Sequence, residues 1–279
     1  MDPEAIVERV WPGRDAKVEP LGGGITNRNF RVEVGDESFV LRIGGEDTEL
    51  LGIDRTAEHV ASLAAAELGL APDVVAFVEP GGYLVTRFAE GQVGEVDVAQ
   101  VGAALARLHG GPAVASRFDS FRVVEAYRAI AEERGVPIPS AYAAAGELAA
   151  RIEERRRGAP LCFCHNDLLN ANFIAERGRL WIVDWEYAGM GDPYFDLGNF
   201  AVNHELDTDG ERILLDAYGG GDPETLTLMR FMSDFREAMW GVVQQAISTL
   251  DFDFRAYADE HFARLERTAA DSRFRAALA

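Results

Sequence analysis

Along the first part of the chain, apolar and polar residues alternate in short runs, which is the period of strands rather than helices. Val32 and Val34 flank Glu33, Gly35-Asp36 marks a hairpin turn, and Ser38-Phe39-Val40-Leu41-Arg42-Ile43 follows. Val18 to Ile43 therefore reads as β structure. From Thr56 to Leu68 the period becomes helical, and Gly69 with Pro72 beyond it stops the helix. Val74–Val78 and Tyr83–Phe88 read as two further strands around Pro80-Gly81-Gly82. These elements predict an α+β lobe over residues 1–90, built on a small antiparallel sheet.

Glu90-Gly91 breaks the pattern and marks a hinge. Residues 91–279 then read as a mainly helical lobe. Val96 to Leu108 is one amphipathic helix ending near Gly110-Gly111-Pro112, residues 140–157 form another, and helical periodicity returns from 210. Between residues 161 and 184 lies a strand-like stretch with a polar loop, interrupted at Arg177-Gly178. Near the C-terminus Phe235, Met239, Val242, Val243, Ala246, Ile247 and Leu250 share one helix face. At about 100° per residue, Trp240 falls beside Gln244 on the flank of that stripe, free to line a cleft.

Composition narrows the choice of function. The chain has 279 residues, enough for two lobes, and no apolar run long enough for a bilayer. Its acidic start, MDPEAIVERV, lacks a signal-peptide pattern, so a cytoplasmic protein is expected. A net charge of −20 argues against nucleic-acid or anionic-membrane partners and favours a cationic small molecule. The two cysteines, Cys162 and Cys164, have no second pair to complete a zinc site and read as reduced residues of a buried strand. Lys17 is the only lysine.

The segment richest in chemistry is His165-Asn166-Asp167-Leu168-Leu169-Asn170-Ala171-Asn172, followed by Trp181-Ile182-Val183-Asp184-Trp185-Glu186. An Asp and an Asn five residues apart, then an apolar strand ending in a second Asp, suits phosphoryl transfer. That reaction needs a carboxylate to orient the hydroxyl and take its proton, and oxygen ligands for Mg²⁺. Asp167 fits the base; Asn172 and Asp184 fit the metal ligands. His165 reads as a brace of the loop rather than a proton shuttle.

With these residues in view, the chain resembles the choline/ethanolamine kinases, in particular the bacterial ones. The resemblance runs through Cys164-His-Asn-Asp-Leu-Leu-Asn-Ala-Asn-Phe-Ile174 and Trp181 to Phe200. It extends to Gly22-Gly-Gly-Ile-Thr-Asn-Arg-Asn-Phe30, Val40–Ile43 and Ile53–Glu58. It implies a two-lobed, protein-kinase-like fold, ATP as donor, and an alcohol on an amine-bearing substrate as acceptor. The glycine turn, with Gly23 and Gly24, can face phosphates through its amides, and Thr26, Asn27 and Asn29 add side-chain donors. Lys17 precedes that turn and is badly placed for the phosphates. The cation there is then Arg42, as the resemblance allows, held by Glu58 on the next helix; a surface ion pair is the alternative reading of the two. On the resemblance alone, Arg87 and Phe88 offer backbone groups to adenine.

For the acceptor, the stretch from Met239 to Tyr257 resembles the choline-kinase region that cages quaternary ammonium with aromatic faces. Trp240 and Tyr257 are then cage walls, Phe254 and Tyr187 further candidates, and Glu186 a charge partner. Ordinary core aromatics are the alternative. The pattern departs at Val243, where such kinases often carry a second tryptophan, and at Asn203, where an acidic residue is expected. A thinner cage suits ethanolamine or another amine. The competing functions are an aminoglycoside or other amino-sugar kinase on the same fold and a non-catalytic pseudokinase-like module. The intact Asp167, Asn172 and Asp184 set disfavours the last.

Overall fold

The computed structural model describes residues 2–22, 27–45 and 47–279. In chain order the elements begin with α1 (Pro3–Val10), β1 (Ala16–Leu21), β2 (Asn27–Val34), β3 (Glu37–Gly44), α2 (Arg55–Glu67), β4 (Val74–Val78), β5 (Tyr83–Arg87) and β6 (Gln92–Val93). They continue with α3 (Val98–His109), α4 (Ser120–Glu133), α5 (Ala141–Arg155), β7 (Cys162–Cys164), β8 (Phe173–Glu176), β9 (Arg179–Ile182) and β10 (Gly189–Gly191). The chain closes with α6 (Pro193–Asn203), α7 (Thr208–Tyr218), α8 (Pro223–Ile247), α9 (Phe254–Ala270) and α10 (Ser272–Leu278).

The chain divides into two compact units. One takes in the residues up to Val96 together with Asn170–Tyr187; the other takes in Asp97–Leu169 and Ala188–Ala279. The sequence reading placed the boundary at Glu90-Gly91 and kept 170–187 with the helical part. The hairpin β8–β9 explains the difference. Ile174 pairs with Val93 across β6, and Ile182 N–H donates to Leu70 O at 2.7 Å, so backbone hydrogen bonds tie this segment to the first unit.

In the first unit a five-stranded antiparallel sheet runs in the order β1-β2-β3-β5-β4, and β6-β8-β9 form a smaller sheet. Alternation puts Val32, Val34, Phe39, Leu41 and Ile43 on one face. Ile6 and Val7 of α1 complete that core with Val78 and Val85. The sequence reading assigned no helix there. Pro3 at the start of α1 and about two amphipathic turns are a weak local signal, and the burial of Ile6 and Val7, about 1.5–3 kcal/mol each, is what holds the helix. Asp54 caps α2 by accepting from the amides of Thr56 and Ala57, which fixes Glu58 in its first turn.

The second unit is mainly helical, with β7 and β10 as a short antiparallel pair. Its axis is α8, twenty-five residues long, packed by α4, α6, α9 and α10. Every residue from Phe231 to Gln244 is buried, so the expected division into a core stripe and an open flank does not hold. Trp240 is buried in helix packing, and Leu250 lies beyond the helix end, exposed. α4 and α6 had no counterpart in the sequence reading. No helix among the described residues is long and apolar enough to cross a membrane.

Candidate active site

In the first unit, the β8–β9 hairpin brings Asn172 and Asp184 to one end. Phe173 pairs with Ile182, and Val183 N–H donates to Asn172 O at 2.9 Å, so the two residues flank the same rung. Asp184 has φ +70°, a left-handed conformation that Asp tolerates better than most residues and that turns the chain sharply after the strand. Glu186 follows in the next turn. Asn172, Asp184 and Glu186 offer oxygen donors, two of them carboxylates, which is the chemistry a hard divalent cation prefers.

Facing these acids are two guanidinium groups. Arg42 Nη1, on β3, donates to Glu58 Oε1 at 2.6 Å and to Asp184 Oδ1 at 2.7 Å. The neighbouring carboxylates Asp184, Glu58 and Glu186 outweigh desolvation and hold Arg42 firmly protonated. Arg55 went unnoticed in the sequence reading. Its guanidinium donates to Glu58 Oε2 at 2.7 Å, Glu186 Oε2 at 3.1 Å, Asn27 Oδ1 at 3.0 Å and Thr48 Oγ1 at 3.2 Å. It lies flat over Gly44, where a Cβ would come within 2.7 Å of Nη2, so the glycine makes room for it. Burial first, and Asp184 next, push Glu186 up to about 7.

This network corrects two expectations. Glu186, expected beside the amine, has its carboxylate held by Asn27 Nδ2 at 2.8 Å and by Arg55, within the first unit. Tyr187 is buried in that same unit. Asn27, expected on phosphates, is committed through both ends of its amide to Glu186 and Arg55. Arg87 and Phe88 also differ from expectation. Their amides donate to Asp73 O at 2.8 Å and Ser38 O at 3.0 Å, which leaves only their carbonyls among the backbone groups expected on adenine. Asn29 sits on β2 opposite Arg42, its Oδ1 buried without a hydrogen-bond partner among the described residues. Gly23, Gly24 and Thr26 lie outside the described residues.

In the second unit, Asp167 follows β7 on a loop held from three sides. Asp196, on α6, accepts from the amides of His165 at 2.8 Å and Asn166 at 2.7 Å, while Asn199 accepts from Leu168 N–H and donates to Ser233 at 2.9 Å. His165 Nδ1 accepts from Asp167 N–H at 3.2 Å, which makes it a brace. Asn166 takes φ +67° to make this loop. The third support is Arg236, missed by the sequence reading. It is 2% exposed and donates to Asp167 Oδ1 at 2.8 Å and to Asn166 O at 2.7 Å. Its signal in the sequence was a group of charged residues, Asp234, Arg236 and Glu237, inside an otherwise apolar stretch of α8. His109, at the end of α3, bonds Asp196 at 3.1 Å and Tyr218 at 2.9 Å.

Arg236 Nη1 also pairs with Glu237 Oε1 at 3.0 Å, and Glu237 Oε2 accepts from Tyr257 OH at 2.8 Å. Burial and then the Glu237 carboxylate push the Tyr257 phenol up, so it stays a donor. The Trp240 ring meets Tyr257 at 5.6 Å and Phe254 at 5.7 Å, both edge to face. Gly241 permits this: a Cβ there would stand 2.9 Å from Tyr257 Cδ1 and 3.1 Å from Phe254 O, so only glycine lets α9 approach. Trp240, Tyr257 and Phe254 thus form one cluster, joined through Glu237 and Arg236 to Asp167.

The chain is similar to known proteins in sequence and in fold. A family model described as Phosphotransferase enzyme family matches residues 17–231. Protein LicA of Haemophilus influenzae is 30% identical over 211 residues, which cover 70% of this chain and 61% of that protein, under two thirds of its length. A choline/ethanolamine kinase family protein from Mesorhizobium loti superposes with a TM-score of 0.83 at 31% identity, covering 99% of this chain and 97% of that one. Choline kinase LicA from Streptococcus pneumoniae has the same fold, with a TM-score of 0.84 at 24% identity over 96% and 98% of the two chains.

Proposed function

The chain belongs to the phosphotransferase enzyme family, and we propose that it transfers the γ-phosphoryl group of ATP to the hydroxyl of an amino alcohol of the choline or ethanolamine class. The observation that carries the reading is the chain of contacts from Asp167 through Arg236 and Glu237 to Tyr257 and Trp240. One rigid helix, α8, ties a candidate base to an acid and two aromatic rings, the groups that orient an alcohol and hold a cationic nitrogen.

In this mechanism Asp167 accepts the hydroxyl proton. Arg236 holds this carboxylate through Oδ1. Phosphoryl transfer is loose and asks more for positioning than for strong basicity, so a carboxylate held by a buried guanidinium and a braced loop is suited to the role. Trp240 and Tyr257 offer ring faces to an ammonium group, at about 0.5–2 kcal/mol each, and Glu237 adds charge. Arg42 turns from Asp184 to the donor's phosphates, with Glu58 holding its other side. Asn172 and Asp184 would hold magnesium, which offsets phosphate charge when bound.

A coupled assay of ADP release with Mg-ATP, run against choline, ethanolamine, amino sugars and aminoglycosides, tests the reading. Turnover with choline or ethanolamine above the other acceptors supports it. Turnover with aminoglycosides alone replaces it with an antibiotic-type phosphotransferase.

A further inference from the structure

Behind the Asp167 loop lies a second group of chemically capable side chains that phosphoryl transfer does not use. Cys162 and Cys164 lie on the same side of β7, with Sγ atoms 3.6 Å apart. His109, at the end of α3, completes the group, and the ligand atoms of the three residues lie within 4.8 Å of one another. Two thiolates on a tetrahedral d¹⁰ cation, each at about 2.3 Å, stand about 3.8 Å apart, close to the spacing seen here. A Cys₂His donor set is soft, and a thiophilic cation such as zinc or cadmium prefers it to the oxygen set of Asn172 and Asp184.

The surroundings suit a ligand rather than plain packing. Both nitrogens of His109 are engaged, by Tyr218 on Nδ1 and Asp196 on Nε2, so ligation exchanges one of these bonds and leaves the other to orient the ring. Cys164 and the His109 side chain, 4% exposed, are buried, whereas Cys162 is partly exposed and opens the group to solvent. Burial pushes the Cys164 thiol up, so without a cation it is protonated and inert.

We propose that Cys162, Cys164 and His109 form a binding site for a thiophilic divalent cation, placed behind the loop that carries Asp167. Binding breaks two S–H bonds and forms two metal–sulfur bonds. Two protons pass to solvent, and a neutral His109 nitrogen donates its lone pair. The dication with two thiolates is then neutral overall, which limits the cost of burying it. Asp196 is shared between His109 and the amides of His165 and Asn166, so occupation of the site acts on the position of Asp167.

The test is a titration of the reduced full chain with Cd²⁺ and Zn²⁺. It follows the thiolate-to-cadmium charge-transfer absorption, proton release and the reactivity of the thiols toward a disulfide reagent. These are the only cysteines in the chain, so the signal is unambiguous. The expected result is saturation at one equivalent, about two protons released, and loss of thiol reactivity. Cys162→Ser, a partly exposed position that keeps the fold, is expected to weaken binding by at least about a hundredfold, since even outer contacts of such sites cost up to that much. Saturation absent at one equivalent, or unchanged in Cys162→Ser, overturns the proposal. None of these readouts depends on the kinase reaction, so the two readings fail separately.

Discussion

The two units solve opposite problems with the same residue types. In the first, two arginines, Arg42 and Arg55, stand among three carboxylates, Glu58, Asp184 and Glu186, so the cluster has one more acid than base. Such a set is built to exchange partners: a cation can take Asp184 when Arg42 turns to phosphate. In the second, one buried arginine, Arg236, holds two carboxylates, Asp167 and Glu237; the acid excess is the same, but these side chains are 2–10% exposed where Arg42, Arg55 and Asp184 are 13–17%. The first arrangement is suited to binding and letting go, the second to holding one carboxylate still. Substitutions in the two regions should therefore separate cleanly in kinetics.

The largest effect is expected in the second region. Asp167→Asn should lower kcat by about 10²–10⁴-fold while circular dichroism shows the fold retained. Arg236→Met should come next, because it removes the buried guanidinium that Asp167 and Glu237 share. Denaturant unfolding should show a loss of about 3–5 kcal/mol, and kcat should fall with it. Arg42→Ala tests the other side: KM for ATP should rise by about 10–100-fold with KM for the amino alcohol nearly constant, since a charged hydrogen bond is worth about 1.5–3 kcal/mol. Trp240→Ala should do the reverse, raising KM for the amine by about 2–30-fold and sparing ATP. A Trp240→Ala chain whose ATP constant moves instead would erase the distinction between the two regions.

The smallest effect is one of pH. Burial lowers His204, on the second unit, to about 4 from 6.5. Above pH 6.5 the ring is neutral in the native and unfolded states and pH has no leverage. As pH falls from about 6.5 to about 4 the unfolded chain takes up the proton first, so stability is lost across that window. His204→Phe should flatten the stability curve there, as equilibrium unfolding at a series of pH values would reveal.

What could be read beforehand follows from distance along the chain. Asp167, Asn172 and Asp184 fall within eighteen residues, so order and spacing alone set them in a phosphoryl-transfer pattern. The strands β2, β3 and β5 were legible because alternation is local. Arg236 lies 69 residues from Asp167, and Arg55 lies 131 from Glu186, separations that no periodicity reports. Glu186 misled for a related reason: its neighbours in sequence suggested the acceptor, whereas β8–β9 pairing carries it to Arg55 and Asn27. Trp240 was given an open flank because helical periodicity distinguishes one face from another. It cannot report that helices surround α8 on every side.

The most direct measurement is phosphorus NMR of reactions containing Mg-ATP and choline or ethanolamine, with the parent chain and with Asp167→Asn. The parent chain should convert the γ-phosphate signal into a phosphomonoester, and the folded Asp167→Asn chain should leave ATP unchanged over the same time. No phosphomonoester from the parent chain with either alcohol, or equal conversion by the variant, would contradict the account.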